Sequence, residues 1–166
     1  MAGTPGTRRT QDRGRGGPSP RRVAQTAADL PLDGWRVLLT PEAREWFEGL
    51  SSRDADKIAK VFEKLEEGGP GLRRPHVGLI RGSRHHNMKE VRSVGGHIRA
   101  LVAFDPRQRA VVLLGGDKTN DWRGWYRRNI RVADKLYDRH LRGNGETHAW
   151  TTRDWRAGGR SAERDR

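Results

Sequence analysis

The stretch Ile98-Arg99-Ala100-Leu101-Val102-Ala103-Phe104-Asp105 is predicted to be a β-strand, and the sequences on either side of it decide the fold. Gly95-Gly96 before it and Asp105-Pro106-Arg107-Gln108 after it are turn sequences. Each turn leads to another strand, Met88–Val94 on one side and Ala110–Leu114 on the other. Adjacent strands with such short links form an antiparallel meander.

Two helices are predicted before this meander. The short apolar strand Trp35–Leu39 leads into Thr40-Pro41-Glu42, which combines an N-cap residue, a proline at the first helical position and an acid in the first turn. Ser51 with Asp54 begins a second helix, and Gly68-Gly69-Pro70-Gly71 ends it. Each helix has an apolar face, formed by Ala43, Trp46, Phe47 and Leu50 in the first and by Ala55, Ile58, Phe62 and Leu65 in the second.

A third helix is predicted after the meander. Gly115-Gly116 breaks the last strand, and Thr119 or Asn120 caps a helix whose apolar stripe extends to Leu141. Val77–Ile80 is a candidate for a short edge strand. The order β-α-α-β-β-β-α predicts an α+β domain in which a small twisted antiparallel sheet packs against helices.

These elements divide the chain into one domain and two tails. Residues 1–33 are rich in Gly, Pro, Arg, Ser and Thr without periodicity, which predicts a disordered basic N-terminal tail. Residues 34–142 form the predicted domain, and residues 143–166 are predicted to be a mostly disordered C-terminal tail. Trp150 and Trp155 are unusual in such a tail, and either pack on the domain or meet a partner.

Positive charge is concentrated in one part of the predicted domain. Leu72–Arg142 has 17 Lys and Arg against 6 Asp and Glu, whereas Gly34–Gly71 has 6 against 8. A cationic surface attracts a polyanion, because phosphates release counterions when cations bind. We therefore expect RNA, DNA or the ribosome as the class of partner.

Composition excludes several other classes of function. The chain has no cysteine, no apolar run long enough to cross a bilayer and no apolar stretch at its N-terminus that would predict a secretory signal. We therefore expect a cytoplasmic protein with no membrane segment. The six histidines show no paired helical spacing, so no metal site is expected. Gly116-Asp117-Lys118-Thr119 lacks the glycine spacing of a phosphate-binding loop, which argues against an NTPase.

Several of these segments, in this order, resemble the RelE/ParE toxin superfamily, and within it the HigB-like branch of phage-related toxins. The resemblance covers roughly Trp35 to Leu141 and rests on the opening strand with its Thr-Pro-Glu helix, on Met88–Arg92, Ile98–Phe104, Val111–Leu114 and Gly115–Thr119, and on the last helix. It implies a RelE-like fold and the toxin of a type II toxin–antitoxin pair. A cognate antitoxin, expected to be a helix-turn-helix protein, would block it.

The resemblance leaves the target of the toxin open. RelE- and HigB-type members enter the ribosomal A site and cut mRNA, which implies a ribosome-dependent endoribonuclease that inhibits translation without metal or cofactor. ParE-type members share the fold but poison DNA gyrase, so gyrase inhibition is one alternative. A second alternative is a degenerate relative that binds only nucleic acid or its antitoxin, because Glu90 stands where RelE-like toxins carry a catalytic lysine.

Metal-free RNA cleavage needs a base for the 2′-hydroxyl, cations for the phosphorane and an acid for the leaving 5′-oxygen. In RelE-like toxins these tasks fall on clustered Lys and Arg, and the resemblance implies Arg92, Arg99 and Lys118 as that cluster. The base is left open among Lys89, Glu90 and His85. Lys89 joins the cluster only if its strand bends or bulges, since regular alternation points it to the opposite face.

Glu90 and His85 each have a second interpretation. Glu90 is either the base or an ion-pair partner of Arg92 or Arg99, and His85 is either catalytic or a solvated loop residue.

The last helix supplies the candidates for RNA binding. Trp122 and Tyr126 are candidates for stacking on an unpaired base. The alternative is core packing, and we expect Trp125 or Tyr126 in the core with Trp122 at the rim. Arg123 and Arg127 are candidate RNA contacts on the other faces of this helix, and a solvated basic face is the alternative for them.

Overall fold

A computed structural model describes residues 34–162 of the chain. The predicted N-terminal tail, residues 1–33, lies outside the described residues. Within the described range the strands and helices are, in order, β1 Arg36–Leu39, α1 Pro41–Glu48, α2 Ser52–Gly68, β2 Val77–Leu79, β3 Met88–Arg92, β4 Ile98–Asp105, β5 Arg109–Asp117, α3 Trp122–Leu141, β6 His148–Trp150 and α4 Thr152–Ala162. The predicted α+β class is confirmed.

The strands form one mixed sheet in the order β2-β3-β4-β5-β1-β6. β2 to β5 are the predicted antiparallel meander, and β2 is its edge strand. The sheet is mixed rather than antiparallel as predicted, because β1 pairs in parallel with β5, with Arg36 opposite Arg109. The order of elements in the sequence does not reveal this pairing. Between β1 and β2, helices α1 and α2 carry the chain across the sheet to its opposite edge, where β2 lies.

Helices cover both faces of the sheet. α1 and α2 pack on one face around a core that includes Val102, Ile58 and Phe62. α3 packs on the other face, where Leu101 and Leu136 belong to a second core. Every residue of β4 is therefore buried, which explains its continuous apolar sequence. This placement matters for function, because alternate residues of each strand face different helices.

The predicted starts of α1 and α2 are confirmed. Thr40 Oγ1 accepts a hydrogen bond from the backbone N–H of Ala43, 3.1 Å away, and Pro41 is the first helical residue. Ser51 Oγ accepts from the N–H of Asp54 at 3.2 Å. Each cap is formed by residues only three positions apart, so it can be predicted without knowing how the rest of the chain folds.

The predicted end of the meander was wrong. β5 continues through Gly115 and Gly116, which pair with Ala100 and Arg99 of β4, and it ends at Asp117. The glycines serve packing here: a Cβ on Gly115 would lie 2.3 Å from the Trp46 indole of α1, and one on Gly116 2.4 Å from the Trp125 indole of α3.

The predicted cap of α3 was also wrong. The N-cap is Asp121, whose Oδ1 accepts a hydrogen bond from the N–H of Gly124 at 3.0 Å, rather than Thr119 or Asn120. The longer β5 accounts for the shift, because the loop to α3 starts only after Asp117.

The C-terminal segment differs from the mostly disordered tail that its composition predicts. β6 extends the sheet by pairing with β1, and α4 follows it. Trp150 packs edge-on against Phe62 with ring centroids 5.3 Å apart, and Trp155 packs against Phe47 at 5.0 Å. Of the two roles considered for these tryptophans, the structure shows packing on the domain.

Candidate active site

The centre of the candidate site is a carboxylate held between two arginines. Arg92 on β3 and Arg99 on β4 lie on neighbouring strands, as predicted, and the register places them directly opposite each other. The Nε atoms of Arg92 and Arg99 lie 2.6 Å and 3.0 Å from Oε1 of Glu90. The Glu90 side chain is only 4% exposed, so this is a buried ion-pair cluster with one positive charge in excess. The ion-pair interpretation of Glu90 is the one that the structure shows.

The two arginines are positioned by different neighbours. Arg99 is buried, and its Nη1 donates hydrogen bonds to the carbonyl oxygens of Gly96 and Ile98, each 2.9 Å away. Arg92 is more exposed and packs over Gly78 of the edge strand, where an added Cβ would lie 3.1 Å from its Nη2. Arg92 is therefore the more accessible of the two guanidinium groups.

Tyr126 of α3 closes the other side of the carboxylate. Its hydroxyl donates a short hydrogen bond to Oε2 of Glu90. Burial and this bond to an anion both raise the pKa of Tyr126, so the phenol keeps its proton. Both oxygens of Glu90 thus have partners, two guanidinium groups on one and the phenol on the other.

Lys118 lies beside this cluster at the end of β5. Its backbone N–H donates to the carbonyl of His97 at 3.3 Å, and its Nζ lies 5.9 Å from the centre of the Tyr126 ring. Partial burial and the positive charge of Arg99 lower the pKa of Lys118, against the opposing effect of Glu90. The ammonium group is thereby made a better proton donor than an ordinary lysine.

An open groove lies beside this cluster, where β4 begins and β5 ends. Six residues line it: Gly96, His97, Arg99, Lys118, Thr119 and Trp122. Trp122 is 54% exposed, while Trp125 is buried against β5, so the predicted division between rim and core is confirmed. The Arg123 guanidinium lies 5.2 Å from the Trp122 ring, and Arg127 is exposed on the next turn of α3.

Two predicted site residues lie elsewhere. Lys89 pairs with Val102, which belongs to the core on the α1–α2 face, so Lys89 is on the side of the sheet opposite Glu90. The register of β3 against β4 has no irregularity that would turn Lys89 toward the cluster.

His85 is separated from the cluster along α3. Its Nε2 lies 2.8 Å from Oδ1 of Asp138, and its ring packs edge-on against Tyr137. Asp138 is twelve residues beyond Tyr126 on α3, which corresponds to about 18 Å along a helix. His85 therefore anchors the loop before β3 to the far half of α3, and the structure does not bring it to Glu90.

One pair in the site was missed from the sequence. His97 lines the groove, and its Nε2 lies 3.1 Å from Oδ2 of Asp117. The pair could have been found from the hairpin register, since a strand that continues past Gly116 brings Asp117 opposite Ile98, next to His97. The predicted strand break after Leu114 concealed it.

Between residues 34 and 162, no three His, Asp or Glu side chains are grouped so that they could hold a metal ion. No helix in the same range combines the length and apolar character needed to cross a membrane.

Comparison with known proteins identifies relatives of this domain. The chain is 43% identical over 105 residues to "Putative toxin HigB3" of Mycobacterium tuberculosis, an alignment that covers 63% of this chain and 92% of that protein. It is 42% identical over 99 residues to "Putative toxin HigB2" of the same organism, covering 58% of this chain and 49% of the relative. Among solved structures, a chain of the toxin–antitoxin complex RelBE2 from M. tuberculosis matches with a TM-score of 0.42 and 17% identity, over 54% of this chain and 98% of the other.

The class that these relatives define is that of the HigB-like toxins, and the predicted relationship to them is confirmed. The family model of the phage-derived Gp49-like proteins matches residues 45–138. The chain belongs to this Gp49-like family. The matched range includes α2, all but the last three residues of α3 and all the groove residues named above.

Proposed function

We propose that this toxin is a metal-independent endoribonuclease that cuts mRNA on the ribosome and so inhibits translation. The observation that carries the proposal is an open groove lined by Arg99 and Lys118, with an exposed tryptophan at its rim and with Arg92 beside Arg99 in the Glu90 ion-pair cluster. Cations of this kind bind a phosphate, and an exposed indole stacks on an unpaired base. Single-stranded RNA offers both groups together.

The arginines would stabilise the charge that develops on the phosphate. As the 2′-oxygen attacks phosphorus, negative charge accumulates on the non-bridging oxygens, and fixed guanidinium groups favour that state over the starting phosphodiester. Glu90 holds Arg92 and Arg99 in place before the RNA arrives, so their positioning costs little when the substrate binds. We assign Glu90 this positioning role, because both of its oxygens already have partners.

Lys118 would protonate the leaving 5′-oxygen. Its lowered pKa favours transfer of the proton, and its side chain lies at the groove beside Arg99. A general acid of this kind contributes on the order of 10²- to 10⁴-fold to rate. The products would be a 2′,3′-cyclic phosphate and a 5′-hydroxyl end, without a metal ion taking part.

Expression of the toxin in bacteria tests the proposal. Induction of the parent chain should arrest growth and fragment translated mRNA, whereas Arg99→Ala with Lys118→Ala should do neither. The matched control removes two exposed cations outside the groove, Lys60→Ala with Arg107→Ala, and should stay toxic. Circular dichroism of the purified variants shows whether each is folded.

The same experiment separates the proposal from its alternatives. Growth arrest with intact mRNA and a DNA-damage response would contradict RNA cleavage and indicate gyrase as the target. Absence of growth arrest with the parent chain would indicate a relative that only binds nucleic acid or an antitoxin.

The proposal includes an antitoxin partner and a cytoplasmic site of action. A chain that attacks ribosome-bound mRNA acts where translation takes place, and the cell that encodes it needs a protein to neutralise it. We expect a helix-turn-helix protein encoded beside the toxin to serve as this antitoxin. Co-expression of that neighbour should restore growth and co-purify with the toxin, and failure to do both would contradict this part of the proposal.

A further inference from the structure

We propose that His97 is the general base that removes the proton from the 2′-hydroxyl, with Asp117 as its positioning residue. The inference rests on the proposed ribonuclease function and supplies the base that the cluster of cations lacks. His97 lies at the turn between β3 and β4, and it lines the same groove as Arg99, Lys118 and Trp122. Its side chain is 52% exposed, so a bound strand of RNA can reach it.

His97 is oriented by Asp117, which is itself held by Thr119. Its Nε2 lies 3.1 Å from Oδ2 of Asp117, so Nε2 carries the hydrogen and Nδ1 is left as the basic nitrogen. The other oxygen of Asp117 accepts hydrogen bonds from the N–H and hydroxyl of Thr119. The Thr119 bonds lower the pKa of Asp117 despite slight burial, and His97 adds to this effect. The carboxylate is therefore ionised and held still.

The His97–Asp117 contact contributes little to folding. Both side chains are about half exposed, at 52% and 50%, and exposed pairs of this kind add little net stability because water screens them. A histidine that contacts a carboxylate, in a groove that two cations also line, has the features expected of an acid–base catalyst. The charged groups around it are Asp117, which contacts the ring, and Lys118 and Arg99, which line the same groove.

The other candidate bases are excluded by their positions. Both oxygens of Glu90 have partners within the ion-pair cluster. Lys89 lies on the opposite face of the sheet, and His85 is paired with Asp138 on the far half of α3.

The proposed step balances in atoms and charge. Nδ1 of His97 takes the proton of the 2′-hydroxyl while the 2′-oxygen forms a bond to phosphorus. The bond from phosphorus to the 5′-oxygen breaks, and the Lys118 ammonium gives a proton to that oxygen. The protein ends with a protonated His97 and a neutral Lys118, and exchange with water restores both.

The test measures single-turnover cleavage by the full chain on bacterial ribosomes programmed with a defined mRNA. His97→Gln should slow cleavage about 100-fold, the scale of a lost general base, while the affinity for the programmed ribosome stays within about threefold. Asp117→Asn should cause a smaller loss. The control is His86→Gln, an exposed histidine before β3, which should cleave like the parent.

The pH profile separates catalysis from a structural role. A general base makes the parent rate depend on pH, and that dependence should be absent in His97→Gln. If His97→Gln cleaves within threefold of the parent with the same profile, or loses activity only through binding, the assignment is wrong while the ribonuclease function stands. If the parent chain itself cuts no mRNA, the ribonuclease proposal fails and His97 fails with it.

Discussion

Tyr126 donates its phenolic hydrogen to Oε2 of Glu90, and this bond ties α3 to the ion-pair cluster on β3 and β4. The helix that carries Trp122 to the rim of the groove is therefore joined directly to the residue that positions Arg92 and Arg99. A buried carboxylate with two guanidinium groups and a phenol around it is favourable only while all partners remain.

Removing the charge of Glu90 tests this arrangement. Glu90→Gln should lower the free energy of unfolding by about 3 kcal/mol, because two guanidinium groups then lose a buried counter-charge. Urea denaturation of the two proteins gives the difference. The matched control is Glu48→Gln, which breaks an exposed pair with Arg44 and should cost less than about 1 kcal/mol. If the two substitutions lower the free energy of unfolding equally, the buried Glu90 cluster stabilises the fold no more than an exposed ion pair does.

The glycine pair in β5 gives a second stability prediction. Gly115→Ala should destabilise the fold by about 2 kcal/mol, because its Cβ would lie 2.3 Å from the Trp46 indole and force α1 to move. Gly71→Ala is the control, since nothing lies within 4 Å of its added Cβ, and it should change stability by less than about 1 kcal/mol. A thermal unfolding temperature for Gly115→Ala equal to that of the control would contradict the packing argument.

This glycine pair also shows why part of the fold could not be predicted. The roles of Thr40 and Ser51 as N-caps could be predicted, because a cap is formed by residues three positions apart. Gly115 looks the same in sequence whether it ends a strand or makes room for an indole, and only the position of α1 decides between them. The pairing of β1 with β5 and β6 is equally non-local.

The site was predictable to a similar extent. Arg92 and Arg99 were recognised as neighbours because one hairpin holds both, and Lys118 because it follows the next strand. His97 and Asp117 come together only when β5 is extended past the glycines, so the error in strand length hid them.

The far end of the sheet gives a pH-dependent prediction. Asp105 is buried, and although burial opposes it, hydrogen bonds from His140 and Arg109 lower the pKa of Asp105 below 3.8. A lowered pKa means that the ionised form stabilises the fold above about pH 4, and that this stability is lost as the pH falls further. Asp105→Asn should therefore flatten the acid side of a plot of unfolding free energy against pH.

The size of the Asp105 effect can be measured near neutral pH. There the substitution should cost about 3 kcal/mol, because Arg109 loses its partner in a buried pair. Asp56→Asn, an exposed residue of α2, controls for the loss of one negative charge. Parallel acid curves for the parent and Asp105→Asn would contradict the prediction.

Lys118→Arg distinguishes proton donation from charge alone. Arginine keeps the positive charge but does not release a proton under these conditions. Binding to programmed ribosomes should stay within about twofold, while cleavage should fall about 100-fold. Because the pKa of Lys118 is lowered, the parent rate should decline at a pH below that at which an ordinary lysine loses its proton. Lys135→Arg, on the exposed side of α3, is the control, and an active Lys118→Arg would exclude the proton-donor role.

The exposed indole of Trp122 gives a prediction about RNA binding. Trp122→Ala should weaken the affinity for single-stranded RNA about tenfold, since stacking of one base contributes on the order of 1–3 kcal/mol. Trp122→Phe should retain much of that affinity, because a phenyl ring still offers a stacking face. The loss should persist at high salt, where phosphate contacts weaken and stacking does not. Val132→Ala, which changes another exposed apolar residue of α3, should bind like the parent. If Trp122→Ala also binds like the parent, the RNA base does not stack on Trp122.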